Sequence, residues 1–92
     1  MPDTQPTNAL LDARGSTHGD FTTNSAISHA LKLIMRGSPN WPKLSATQTE
    51  ALEMIVHKIS RALAGDHDHE DHWRDIAGYA TLAADQIGRA HV

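Results

Sequence analysis

The sequence predicts an all-α protein, a three-helix subunit that forms helical bundles by oligomerisation. Apolar residues recur every three or four positions in three segments, which is the spacing of one face of a helix. Helix start and stop signals flank these segments, and no segment shows the alternation that is typical of a strand. At 92 residues the chain makes one small domain, and a core of that size is marginal unless self-association reinforces it.

The N-terminal part is predicted to lie outside this core. We expect residues 1–13 to form a disordered arm and residues 14–92 to form the helical domain, because the first seven residues offer almost nothing apolar to bury. Gly15 and Gly19 indicate a loop. The first helix is then expected from Thr22 or Thr23 to Met35, capped by Asp20 or by one of residues 22–24.

Each predicted helix has its own apolar face and its own boundary signals. Ser45 and Gln48 form a capping box at the start of the second helix, and Gly65 ends it. The third helix begins among the acidic and histidine residues 66–71 and continues to about Ile87. The predicted buried faces are Ile27, Ala30, Leu31 and Ile34; Leu52, Ile55, Val56, Ile59, Ala62 and Leu63; and Trp73, Ile76, Ala77, Ala80, Ala83, Ala84 and Ile87. Gly78, inside the third helix, suggests close approach of another helix.

Composition restricts the classes of function. With no cysteine, the chain has neither disulfides nor a thiolate metal site, which fits a reducing cytoplasm. The net charge of −3 argues against a nucleic-acid partner, which needs clustered Lys and Arg. No apolar run is long enough to span a bilayer, so no membrane partner is expected.

Met54, opposite the stripe of the second helix, fits a second buried face against another subunit.

Four side chains make the candidate site. Glu50 and Glu53 share one helix face, as do His72 and Asp75 on the next helix, because residues three apart lie on neighbouring turns. If the two helices pack antiparallel, these groups converge in one groove, where a divalent cation would relieve the repulsion between the carboxylates. The alternative is that Glu50 and Glu53 are ordinary surface acids that pair with Lys58 or Arg61.

The motif resembles a known superfamily. Glu50-x-x-Glu53, followed by Asp75-Ile76-Ala77-Gly78-Tyr79, is similar to the E-x-x-E and D-[VI]-x-x-Y elements of the MazG-like all-α nucleoside triphosphate pyrophosphohydrolases, over residues 45–87. His72 departs from the pattern, because it stands where the superfamily has a third Glu. Histidine ligates Mn²⁺ or Zn²⁺ but suits Mg²⁺ poorly.

This resemblance implies a chemistry and a set of roles. Mg²⁺ or Mn²⁺ held by Glu50, Glu53, His72 and Asp75 would orient a water for attack at the α–β linkage of an NTP or dNTP, releasing pyrophosphate. Glu50, Glu53 and Lys58 would carry the catalysis. Lys58 and Arg61 would hold phosphate oxygens, and Tyr79 or Trp41 would contact the base. The alternative role of Lys58 and Arg61 is pairing with nearby acids.

A second resemblance suggests an origin. Gly19-Asp20, the segment 57–61 (His-Lys-Ile-Ser-Arg) and the segment 75–79 (Asp-Ile-Ala-Gly-Tyr) are similar to elements of small phage-encoded proteins. A phage origin implies the host cell cytoplasm. It also raises the alternative function of a non-catalytic nucleotide-binding protein that sequesters a host signalling nucleotide.

The histidines leave further alternatives open. His67, His69 and His72, with Asp66, Asp68 and Asp71, form either a local metal-binding tract or a solvated helix start. His57, one turn beyond Glu53, is either a further ligand or base, or a half-buried helix residue that is hydrogen-bonded to a neighbour.

Overall fold

The computed structural model describes residues 6–90, with side chains described for residues 10–89. It contains four α-helices, α1 (Pro6–His18), α2 (Phe21–Arg36), α3 (Ala46–Ala64) and α4 (Glu70–Ala90), and a 3₁₀ turn at Trp41–Lys43. There is no strand in this part of the chain, so the all-α prediction is confirmed. The number of helices is four and not the predicted three.

The additional helix, α1, occupies the region that the sequence predicts to be an arm and a loop. Gly15 lies inside α1 and does not end it, because one glycine costs a helix only about 1 kcal/mol. The chain turns instead at Gly19, whose φ of +80° is in the left-handed region. Residues 1–5 of the predicted arm lie outside the described residues.

The capping predictions agree with the structure. The Asp20 carboxylate accepts hydrogen bonds from the Thr23 amide at 2.9 Å and from the Thr23 hydroxyl at 2.8 Å, which starts α2. Ser45 and Gln48 form both halves of the capping box of α3, and Gly65 ends that helix. α4 begins at Glu70, with Glu70 and Asp71 in its first turn, where exposed amides favour negative charge.

α3 lies between α2 and α4, and both neighbours run antiparallel to it. Within the described residues α2 and α4 scarcely touch each other, so the three helices form an open layer instead of a closed bundle. Four side-chain pairs fix the register: Lys32 with His57, Arg36 with Glu53, Thr47 with Gln86, and Lys58 with Asp75. The result is elongated, with a radius of gyration of 16.2 Å against about 12 Å for a compact chain of this length.

The layer buries few of the predicted core residues. The buried apolar side chains are Ala51, Val56 and Ala62, whereas Ile34, Leu63 and Trp73 are more than half exposed. α2 turns polar residues such as Ser28 and Lys32 toward α3, and α4 turns His72 inward where Trp73 was expected. The buried faces are therefore rotated away from the predicted apolar stripes, and part of each stripe has no partner among residues 10–89.

Many of the exposed apolar residues of the three helices, although not Phe21, Leu33 or Leu82, lie on one side of the layer. On α3, Leu52, Ile59 and Leu63 lie within about 40° of one another and at least about 160° from Arg61. Because α2 and α4 run antiparallel on the two flanks, their own exposed stripes turn to the same side as these residues. We call this surface the apolar face: Ile34, Leu52, Ile59, Leu63, Trp73, Ala77, Ala80, Ala84 and Ile87.

Three further observations concern Trp41, Gly78 and the lengths of the helices. Trp41 is half-buried in the 3₁₀ turn, which packs on α2. A methyl group added at Gly78 would meet no atom within 4 Å among the residues that the structure describes, so none of the described helices makes the predicted close approach. None of the helices in residues 6–90 combines the length and the apolar character needed to cross a bilayer.

Candidate functional site

The predicted acidic residues take part in separate ion pairs. Glu53 accepts a hydrogen bond from Arg36 of α2 at 2.9 Å, and Asp75 of α4 lies 3.0 Å from the ammonium nitrogen of Lys58. Glu50 is exposed. Lys58 therefore pairs with a nearby acid, Asp75, as the alternative role predicted for it. Glu53 also pairs with a cation, but its partner is Arg36 and not Lys58 or Arg61.

The helix register explains why these carboxylates do not meet. The pairs Thr47–Gln86 and Lys58–Asp75 bring Glu53 level with Ala80, five residues from Asp75, or about 7.5 Å along the axis. Glu53 and Lys58 also lie about 140° apart around α3. Within residues 10–89, no group of three His, Asp or Glu side chains is arranged to hold a metal ion. The single chain thus does not bring Glu50, Glu53, His72 and Asp75 into one cluster.

His72 is an inward-facing side chain, only 2% exposed. Its Nε2 lies 3.2 Å from the carbonyl oxygen of Thr17 at the end of α1, to which it donates as the neutral imidazole or as the cation. Its ring also packs against the rings of His18, at 5.3 Å between centroids, and His69, at 4.7 Å. His72 therefore joins α1 to α4, and His18, which the sequence did not place here, belongs to the cluster instead of the exposed His67.

The predicted substrate-binding residues are spread over three places. Lys58 is nearly buried beside Asp75, and Tyr79 lines a shallow groove on the outer side of α4. Trp41 belongs to the 3₁₀ turn. Only Arg61 lines the main cleft of the molecule.

That cleft lies between α1, α2 and α3 and has a volume of about 920 Å³. This is at the upper end of the range for small-molecule sites. We call it the α1 cleft. Its ionisable lining consists of Arg14, Lys32 and Arg61, of His18, His29 and His57, and of Asp12 and Asp20. Cationic and histidine side chains outnumber carboxylates, although the whole chain is acidic, so the local charge favours an anion.

One hydrogen bond defines the state of His57. The ammonium nitrogen of Lys32 lies 2.6 Å from Nε2 of His57. Because an ammonium group can only donate, Nε2 must accept, and the imidazole proton is on Nδ1. Burial and the charge of Lys32 lower the pKa of His57 below its ordinary value of 6.5. The pKa of His18 is lowered as well, by burial and then by the charge of Arg61.

The floor of the cleft is polar and satisfied. The Ser60 hydroxyl is fully buried, 2.7 Å from Oδ1 of Asn24 and 2.9 Å from the carbonyl of His57. The Asn24 amide in turn donates to the carbonyl of His18 at 3.1 Å. This chain of contacts ties α1, α2 and α3 together under the cleft.

The spacing of polar residues on α2 and α3 could have predicted the cleft, although the buried faces of these helices were predicted from their apolar residues alone. Asn24, Ser28 and Lys32 recur every four residues on α2, and His57 and Arg61 are four apart on α3. Two such polar stripes on neighbouring helices indicate a polar seam. The wall formed by α1 could not be found in this way, because residues 1–13 were predicted to be disordered.

Comparisons with known proteins identify a family and no activity. Neither the curated proteins nor the solved structures include a match to this chain. Residues 5–87 match the family described as Domain of unknown function (DUF6378). Since this match covers almost the whole chain, the protein belongs to the DUF6378 family.

Proposed function

We propose that the chain binds the phosphate groups of a nucleotide in the α1 cleft. The observation that carries this proposal is the concentration of cationic and imidazole side chains around a cleft of about 920 Å³ in an otherwise acidic protein. The resemblance of the 45–87 segment to nucleotide pyrophosphohydrolases agrees with it. The protein would then bind a nucleotide without hydrolysing it, which is the alternative function considered for the sequence, a protein that sequesters a signalling nucleotide.

Each cation has a distinct role in this proposal. Arg61 presents a planar fork of donors that suits two phosphate oxygens, and Lys32 supplies a compact positive charge. A bound phosphate would accept a hydrogen bond from Lys32 and replace Nε2 of His57 as its partner. The phosphate charge would then favour protonation of His57, which would add a second donor.

Metal-dependent pyrophosphohydrolysis is the second candidate. Glu50, Glu53, His57 and Arg61 follow one another at three- or four-residue intervals along one flank of α3, so the E-x-x-E pair continues the line of the cleft. Glu50 and Glu53 would hold Mg²⁺ or Mn²⁺, which would supply charge neutralisation at the phosphates and an activated water. His72 and Asp75 are engaged elsewhere in the single chain, with Thr17 and Lys58.

One set of measurements separates the two candidates. Calorimetric titration with ATP, GTP and the deoxynucleoside triphosphates, with Mg²⁺, with Mn²⁺ and with EDTA, measures binding, and pyrophosphate release measures turnover. We expect Lys32→Ala and Arg61→Ala each to weaken binding about tenfold or more, as the loss of one charge-assisted hydrogen bond implies. Lys43→Ala, an exposed lysine outside the cleft, is the control.

The outcomes differ for each candidate. Binding in EDTA without turnover supports the binder, and metal-dependent turnover that is lost in Glu53→Gln supports the enzyme. No binding of any nucleotide with or without metal, or equal affinities in Arg61→Ala and Lys43→Ala, would contradict a phosphate site in the α1 cleft.

Self-association through the apolar face is the structural part of the proposal. Within residues 10–89 three apolar side chains are buried, whereas residues such as Ile34, Leu63 and Trp73 are exposed. So small an apolar core stabilises a single chain poorly. A second copy presenting the same face would cover it through an isologous contact. The cleft lies on the other side of the layer and stays open in such an assembly.

A further inference from the structure

We infer that Phe21 is the platform on which the base of the bound nucleotide stacks, an inference that rests on the proposed phosphate site. Phe21 is the only phenylalanine in the chain and is 85% exposed, more than any other large apolar residue described. It lines the α1 cleft. An aromatic ring held so far in water contributes little to folding, whereas a flat π-surface at the edge of a polar cleft suits a nucleobase.

The backbone of Phe21 is fixed. It is the first residue of α2, directly after Asp20, whose carboxylate caps the helix through Thr23. Gly19 packs against the backbone of Ala64 so closely that a side chain there would overlap it. The capped helix start therefore holds the backbone from which the Phe21 ring projects at the edge of the cleft.

The distances along α2 fit a nucleotide with more than one phosphate. Eleven residues separate Phe21 from Lys32, which is about 16 Å of helix. The antiparallel register set by the Lys32–His57 pair brings Arg61 level with Ser28, in the second turn of α2 and between Phe21 and Lys32. A base on Phe21 would thus place the first phosphate near Arg61 and the distal phosphates near Lys32, a reach that a monophosphate does not have.

The opposite wall adds an apolar surface. Leu11 of α1 lines the same cleft and is more than half exposed. Phe21 does not belong to the apolar face, because it lies about 140° from Ile34 around α2. The proposed contact through the apolar face therefore does not account for the exposure of Phe21.

The test compares ligands with and without a base. Isothermal titration of the full chain uses ATP, ADP, AMP and inorganic tripolyphosphate as probes, with wild type, Phe21→Ala, Phe21→Trp and Lys32→Ala. Leu33→Ala, an exposed apolar residue of α2 that does not line the cleft, is the matched control. We expect Phe21→Ala to weaken ATP binding about tenfold and leave tripolyphosphate binding unchanged, and Phe21→Trp to retain ATP binding.

Failure of this inference and failure of the proposed function give different results. The inference is overturned if Phe21→Ala changes ATP affinity no more than Leu33→Ala does, or if it weakens tripolyphosphate equally, while Lys32→Ala still weakens both ligands. If the wild type binds neither ATP nor tripolyphosphate, the proposed phosphate site is contradicted, and with it the role of Phe21. An AMP affinity equal to that of ATP would overturn the order of phosphates along the cleft.

Discussion

The ammonium group of Lys32 donates to Nε2 of His57 across the seam between α2 and α3, at 2.6 Å. Burial and the charge of Lys32 lower the pKa of His57 below its ordinary value of 6.5. The contact therefore makes the seam between the two helices sensitive to acid.

The first prediction concerns the pH dependence of stability. The pKa values of His57 and His18 are lowered in the folded chain, so the unfolded chain binds these protons first as the pH falls. The free energy of unfolding should therefore decrease as the pH drops below the ordinary value of 6.5. Urea denaturation at a series of pH values measures it. His57→Gln should reduce the slope, and His67→Gln, in the exposed loop before α4, should not. A slope unchanged in His57→Gln would contradict this assignment.

The second prediction concerns the buried hydroxyl under the cleft. Ser60→Ala removes the donor to Asn24 and leaves its amide oxygen without that partner in a part-buried place. We expect a loss of about 1–2 kcal/mol in the free energy of unfolding. Ser16→Ala, which removes an exposed hydroxyl bonded within α1, should change it by less than about 0.5 kcal/mol. Equal effects of the two substitutions would argue against the Asn24–Ser60 contact.

The third prediction uses two glycines of the N-terminal region. A methyl group at Gly19 would overlap the carbonyl oxygen of Ala64 and would also stand at a positive φ. Gly19→Ala should therefore destabilise the chain by about 2–4 kcal/mol. Gly15, inside α1, has no atom within 4 Å of an added methyl group, so Gly15→Ala should stabilise by about 0.5–1 kcal/mol. Thermal denaturation of both variants tests α1 as well, since an arm without a helix would gain nothing from Gly15→Ala.

The fourth prediction concerns self-association. Leu63 on the apolar face and Leu82 on the other side of α4 are exposed to a similar extent, 68% and 62%. Leu63→Glu should shift the protein toward monomers, because a charge would have to be buried in the contact. Leu82→Glu should leave the assembly unchanged. Sedimentation velocity over a range of protein concentrations measures both. A wild type that stays monomeric at all of them would contradict the proposal.

Local signals predicted the helix boundaries better than they predicted the packing. The capping box at Ser45 and the stop at Gly65 were found from the sequence because each depends on a few neighbouring residues. The face that α2 turns inward was not, since Ile34 is equally suited to a partner helix of the same chain or of another chain. In a small domain that exposes part of its apolar surface, an apolar stripe does not show which face of a helix is buried.

The candidate site shows the same division. Glu50 and Glu53 were correctly placed on one flank of α3 with His57, because helical spacing alone decides this. Whether Asp75 joins them depends on the register between α3 and α4, which no local pattern specifies. The pairing of Glu53 with Arg36 depends likewise on how α2 lies against α3.

The placement of the apolar face and the α1 cleft on opposite sides of a single layer has a thermodynamic consequence. A ligand in the proposed phosphate site would touch no residue of the apolar face, so ligand binding and the proposed self-association should be independent, with a linkage free energy near zero. Nucleotide affinity should then be the same in dilute and concentrated protein, and each copy in an assembly should titrate as an independent, identical site.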